Sequence, residues 1–195
     1  DDKLDLALEL LEKAKKNAVY NIAHLQRGHE DSKIVATSSS CTFALKNEYS
    51  SFLELDNSGI SDRVEFVTKF IYNEFRSGNI PKMKPLGIRA AYHSPCHLER
   101  MGGVMYTLAI LKQIPGLDLV VLNSECCGIA GTYGFKKENY SISLSIGKSL
   151  FSLIDKAEPE FVITDCETCK MQIEMNTKYK VLHPVTLIAM ALDIK

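Results

Sequence analysis

Three times along this chain a short apolar run ends in cysteine. IRAAYHSPC reaches Cys96, LVVLNSECC reaches Cys126 and Cys127, and FVITDCETC reaches Cys166 and Cys169. Each run reads as a buried strand, and each is followed by residues of helical pattern. That alternation restricts the chain to an α/β fold, with mostly parallel sheets flanked by helices. In such sheets, ligands collect beyond the carboxyl ends of the strands. The spacing Cys96-x29-Cys126-Cys127-x38-Cys166-x2-Cys169 therefore predicts that thiols from three strand ends meet at one site.

The remaining elements follow from periodicity and punctuation. Leu4, Leu8, Leu11, Ala18, Ile22 and Leu25 recur at helical spacing and predict an amphipathic helix over 3–26. Lys13, Lys15 and Lys16 do not share one of its faces, so it reads as a solvated surface and not a membrane-binding patch. A strand is expected at 33–37 and helices at 42–53 and 61–77, the latter capped by Ser61 and stopped by Gly78. Residues 79–85 (NIPKMKP) read as a linker between a domain at 1–79 and another at 80–195. Beyond it, strands are expected at 88–92, 117–122, 160–164 and 180–182. Helices are expected at 97–113, 136–157, 167–176 and 185–192.

An internal echo joins the two parts. IVATSSSC (34–41) matches VITDCETC (162–169), with Cys41 on Cys169 and Ser38 on Cys166. Two copies of one strand–turn–helix module are expected, the first shortened at its amino end. The chain begins Asp1-Asp2 and is expected to be a processed product or a piece of something longer.

Composition narrows the function. A formal net charge of −1 leaves no basic excess for nucleic acid. Apolar stretches such as 185–192 are too short to span a bilayer. Six cysteines without an export signal point to a reducing cytosol and a metal or redox site, not a disulfide framework.

Soft thiolates suit zinc or an iron–sulfur cluster. One tetrahedral zinc takes four ligands, so a set of five suggests a larger centre or one cysteine with a separate job. Adjacent Cys126 and Cys127 both ligate only if the backbone bends sharply, which Gly128 permits. Two sulfurs splayed from one turn suit different irons of a cluster better than one small ion. Cys166-x2-Cys169 has metal-pair spacing, which also serves thiol–disulfide redox pairs. Cys96 and Cys166 are expected near helix amino ends, where thiolate is favoured.

Gly128, Gly131 and Gly134 space a loop whose backbone can approach a cofactor and donate N–H to sulfur. Lys136 and Lys137 follow it with a charge that offsets an anionic centre. The loop lacks both nucleotide-binding glycine fingerprints. His93, His97 and His183 are read as hydrogen-bonded neighbours or turn residues ahead of ligands. Cys41 is read as a buried small residue, and Glu125, Asp165 and Glu167 as solvent-facing acids. No paired-carboxylate or Ser–His–Asp arrangement can be picked out.

Cys-x29-Cys-Cys-Gly-x37-Cys-x2-Cys resembles the cysteine-rich CCG domain of heterodisulfide reductases and of glycolate oxidase iron–sulfur subunits. IVATSSSCTFAL, YHSPCHLERMG, IPGLDLVVLNSECCGIAGTYGFKKENY, VITDCETCKMQIEM and HPVTLIAMAL carry the likeness. Within the family they are most similar to the iron–sulfur subunits of anaerobic glycerol-3-phosphate dehydrogenases. The resemblance implies an electron-transfer subunit without substrate chemistry of its own. Cys96, Cys126, Cys127, Cys166 and Cys169 would hold an iron–sulfur cluster of 4Fe–4S type, non-cubane in the heterodisulfide reductase relatives. It further implies a flavoprotein catalytic partner and a membrane quinone pool, reached by peripheral association with the cytoplasmic face of the inner membrane. Family subunits carry an amino-terminal ferredoxin-like part and two CCG modules, so this chain would hold the end of the first and all of the second. Ser38 stands where the first module would have a cysteine, and the x29 and x38 gaps depart from the usual family gaps. The alternatives from residue chemistry alone remain a structural zinc module and a Cys166/Cys169 redox protein.

Overall fold

Ala90 and Tyr92 face one side of a strand and Ala91 the other, and all three are fully buried. A strand buried on both faces needs helices on both faces, and this chain supplies them. The structure is a computed structural model, and it describes residues 2–29, 31–123 and 125–194. Two compact units result. One comprises the chain up to residue 37 with residues 41–66; the other comprises 38–40 and the chain from 67 onwards.

In the first unit, α1 (Asp2–Leu25) leads to β1 (Ile34–Ala36). A helical run then starts as α2 (Ser39–Phe43), passes through a π-turn (Ala44–Glu48) and ends as α3 (Tyr49–Ser51). After α4 (Ser58–Ser61), β2 (Val64–Phe66) pairs in parallel with β1, Ile34 opposite Val64 and Ala36 opposite Phe66. The helix expected over 61–77 is thus divided. Val64 and Phe66 are buried beside β1, and branched and aromatic side chains fit such a surface. Ser61 ends α4 and caps nothing that follows. In α1 the buried side chains are Ala18 and Ile22, while Leu4 and Leu8 of the expected apolar stripe are 63% and 52% exposed.

The second unit opens with α5 (Val67–Arg76) and is built on β3 (Ile88–Tyr92), β4 (Leu117–Val121), β5 (Phe161–Ile163) and β6 (Lys180–Leu182). These four strands form a parallel sheet in the order β4-β3-β5-β6. Between β3 and β4 lie α6 (Cys96–Arg100) and α7 (Val104–Leu111), so the helix expected over 97–113 breaks at Gly102-Gly103. Two 3-10 turns (Tyr133–Phe135 and Lys137–Asn139) precede α8 (Tyr140–Ala157), where one helix from 136 was expected. α9 (Glu167–Asn176) and α10 (Pro184–Ala191) complete the unit.

Two cores sandwich the sheet. Ala91, Val162 and Val181 pack with Leu150 and Ile154 of α8 and Ile173 of α9. Ala90, Tyr92 and Ile163 pack with Phe75 of α5, Ile110 and Leu111 of α7 and Leu187 of α10. The chain leaves β3 toward β4 on one side and later returns to β5 on the other. The strand order reverses at β3, and a crevice forms at such a switch point. Among the described residues, no helix is long and apolar enough to cross a membrane.

Candidate metal centre

The three cysteine groups emerge from the carboxyl ends of β3, β5 and β4, which are neighbours in the sheet. β3 ends at Tyr92, and its pairing continues one residue further through a bond from the His93 N–H to the Ile163 carbonyl (2.9 Å). Cys96 then opens α6, with Pro95 as its extended N-cap. β4 runs out into the loop bearing Cys126 and Cys127. β5 leads through Asp165 to Cys166, the N-cap of α9, with Cys169 inside the first turn. Cys127, Cys166 and Cys169 are buried, while Cys96 and Cys126 are exposed. The adjacent pair therefore splits between interior and surface.

The sulfurs act on one another's acidity through hydrogen bonding and charge. The Cys127 and Cys169 sulfurs are 3.3 Å apart. Cys127 is pulled far below the ordinary thiol range by hydrogen bonding with Cys126 and then Cys169. Cys126 is pushed up because its proton serves Cys127, with burial adding to the effect. Cys169 is pushed up by serving both Cys127 and Cys166. Cys166 falls to about 4, chiefly through Cys169, with Thr168 and Ser40 contributing. Burial raises Cys96, and the charges on Cys127 and Cys166 add to that rise.

The cysteine loop is clamped onto α8. Gly128 adopts a φ of +88°, and a Cβ there would meet the Ser143 carbonyl oxygen at 2.0 Å. Ser143 Oγ donates to the Gly128 carbonyl (2.8 Å) and accepts from Gln172 Nε2 (2.9 Å). A Cβ on Gly147 would lie 2.6 Å from the Cys127 carbonyl oxygen, and one on Gly134 would lie 2.3 Å from Ser143 Oγ. The Gly128 N–H donates to Cys126 Sγ (3.3 Å). Gly131 is exposed and its Cβ position is open. Lys136 and Lys137 are exposed. Ser143 and Gly147 escaped the sequence reading; the small-xxx-small spacing on a helix was the available signal.

Asp165, expected to face solvent, is fully buried. It accepts from Tyr92 Oη (2.6 Å) and Thr107 Oγ1 (3.0 Å), and Thr107 in turn bonds Thr68 (2.8 Å). Burial pushes its pKa up to about 7. The Ser39 N–H donates to its carbonyl (3.2 Å). This network anchors the turn that presents Cys166. Tyr92→Phe removes the shorter of the two hydroxyl contacts and is expected to destabilise the chain by about 1–3 kcal/mol. A denaturant midpoint equal to that of the unmodified protein would show that the network carries no such weight. Glu167 is exposed and Glu125 is half-buried.

Further polar groups surround the sulfurs. Ser40 Oγ lies 3.6 Å from Cys166 Sγ and 3.1 Å from His97 Nδ1. Ser40 belongs to the three-residue segment that joins the second unit, a placement that local pattern could not reveal. His183 caps α10, its Nδ1 accepting from the Val185 N–H (3.2 Å). His97 and His183 are thus hydrogen-bonded. His93 is different: it is buried, and among the described residues neither ring nitrogen has a hydrogen-bond partner. Cys41, expected to be buried, is exposed.

The donor set fits a thiophilic metal centre. Three buried thiols, two more at the rim, and backbone N–H groups directed at sulfur are what such a group requires. His93, Cys127 and Cys169 place ligand atoms within 4.8 Å of one another.

Similarity to known proteins agrees with this chemistry. Residues 90–174 match the model of the cysteine-rich domain, CCG. The chain is 49% identical over 183 residues to a subunit of the anaerobic glycerol-3-phosphate dehydrogenase of Escherichia coli, covering 93% of this chain and 46% of that protein. It is 32% identical over 167 residues to a subunit of the fumarate reductase (CoM/CoB) of Methanothermobacter marburgensis, covering 81% of this chain and 32% of that one. It is 30% identical over 188 residues to lactate utilization protein A of a Geobacillus species, covering 86% of this chain and 75% of the relative. The chain therefore spans about half, or less, of the first two relatives and most of the third. On the domain match and these identities, the chain belongs to the cysteine-rich (CCG) domain family.

Proposed function

We propose that this chain is the electron-relay part of an iron–sulfur subunit of the anaerobic glycerol-3-phosphate dehydrogenase type. Cys96, Cys126, Cys127, Cys166 and Cys169 hold the cluster, of 4Fe–4S composition. Such a cluster takes up and releases one electron at a time. The chain's own residues exclude water around Cys127, Cys166 and Cys169, hold the loop of Gly128, Gly131 and Gly134 in place, and direct N–H groups at sulfur. The observation that supports this reading is that all three cysteine groups follow the carboxyl ends of neighbouring parallel strands, β3, β4 and β5. The first unit is read as the remnant of a second CCG module.

In this reading a flavoprotein subunit oxidises glycerol 3-phosphate and passes electrons to the centre. A membrane quinone receives them through peripheral association at the cytoplasmic face. Exposed Cys96 and Cys126, with the 128–137 loop, form the surface on which the flavoprotein docks, because transfer needs the centre near the partner.

A zinc module is the second reading, favoured by the compact His93, Cys127 and Cys169 trio. A Cys166/Cys169 redox enzyme is disfavoured, because its attacking thiolate must be accessible and these cysteines are 4% and 5% exposed. Anaerobic reconstitution followed by iron, sulfide and zinc analysis separates the readings. The expected product is brown, contains iron and sulfide, and gives an EPR signal in one oxidation state. Stoichiometric zinc without iron would sink the proposal.

A further inference from the structure

The iron–sulfur reading assigns no role to His93. It is 2% exposed, and among the described residues both Nδ1 and Nε2 lack a hydrogen-bond partner. Leaving a buried polar atom unsatisfied costs about 1–3 kcal/mol. Here two such atoms sit on one ring, at the end of the central strand. The ring lies within 4.8 Å of the Cys127 and Cys169 sulfurs, which are themselves buried and 3.3 Å apart. An orphaned ring facing a sulfur pair points to a bound group that completes it.

Two roles are open to the ring: it bonds to the metal, or it donates N–H to sulfur. A ligating histidine is normally oriented by a hydrogen bond from its other nitrogen to a carboxylate or carbonyl. Among the described residues His93 has no such partner. Five thiols already supply enough ligands for the centre without it. Buried anionic sulfurs do, however, need donors, and His93 brings them a ring whose nitrogens are uncommitted.

We propose that His93 is a positioning residue that donates a ring N–H to the Cys127–Cys169 sulfur pair and raises the reduction potential of the bound centre. This rests on the iron–sulfur reading above. Hydrogen bonds to sulfur are among the protein's means of setting potential. The positive end of the N–H dipole stabilises the reduced state more, because that state carries more negative charge.

The test uses the chain loaded with iron and sulfide, as the unmodified protein, His93→Phe and His93→Gln. Metal analysis, redox titration and pulsed EPR of protein labelled with 15N-histidine are compared. Expected are equal iron in all three, a lower potential in His93→Phe, and partial recovery in His93→Gln, whose amide also donates. The labelled unmodified protein should show a weak nitrogen coupling, the signature of a hydrogen bond across sulfur. A strong coupling from a direct metal–nitrogen bond overturns the inference, as does no coupling. An unchanged potential in His93→Phe, or loss of iron from both variants, also overturns it. If His93→Phe alone fails to fold, the unmodified protein's coupling and the His93→Gln potential decide. Unmodified protein that takes up only zinc defeats the iron–sulfur reading and this inference together. Iron-loaded protein without nitrogen coupling defeats the inference alone.

Discussion

Cys127→Ser and Cys166→Ser are each expected to lose most of the iron bound by the reconstituted protein, while Cys41→Ser keeps it. Cys127 Sγ lies 3.3 Å from Cys169 Sγ, and Cys166 is the N-cap from which α9 presents Cys169. Thiolate is the form that binds metal. Both are also buried, so a serine hydroxyl in their place offers a harder, protonated donor with little solvent to compensate. Cys41 is exposed in the first unit, and Ser38 stands where the echo would place its partner. Iron and sulfide determination on the three variants decides the matter. Severe iron loss from Cys41→Ser would make it a ligand and defeat the assignment of the five cysteines.

Gly128→Ala is expected to be the most damaging single-methyl change in the chain. Two costs add. A left-handed backbone costs a residue with a Cβ roughly 1–2 kcal/mol. The new methyl would also sit 2.0 Å from the Ser143 carbonyl oxygen and 3.0 Å from the Gly147 nitrogen, both in the backbone of α8. Helix backbone cannot rotate aside as a side chain can, so the cysteine loop must lift off α8. The combined loss should exceed about 4 kcal/mol, the range of exceptional substitutions. Gly131→Ala is the control. Its φ is +66° but its Cβ would meet nothing within 4 Å, so it should pay the backbone cost alone. Thermal unfolding of the two variants should rank them clearly. Equal midpoints would show that the loop does not depend on its contact with α8.

Legibility varied by element. The second unit's strands were read to within a residue or so, because their apolar runs are short, rich in Val, Ile and Ala, and bounded by turns. β2 was missed because Val64–Phe66 continues the helical spacing of 67–76, and only pairing with β1 makes it a strand. The breaks at Gly102-Gly103 and before Tyr140 were smoothed into long helices for the same reason. At the site, the cysteines were legible from spacing. Asp165 was misjudged because acids beside thiols normally seek solvent; Tyr92 and Thr107, remote in sequence, make its burial tolerable.

That strands alternate with helices, and that each cysteine group follows a strand, is written in the local sequence. Those facts rest on residue-to-residue periodicity and on turn chemistry, which act locally. The order β4-β3-β5-β6, which makes the three strand ends that bear the cysteines neighbours, arises from tertiary packing. The same packing makes Ser143 and Gly147 clamp the loop, lets Ser40 reach Cys166, and buries His93 with its ring nitrogens unsatisfied among the described residues. Each of these depends on which surfaces pack across the sheet, and burial and hydrogen bonding between residues scores of positions apart leave no local periodic trace.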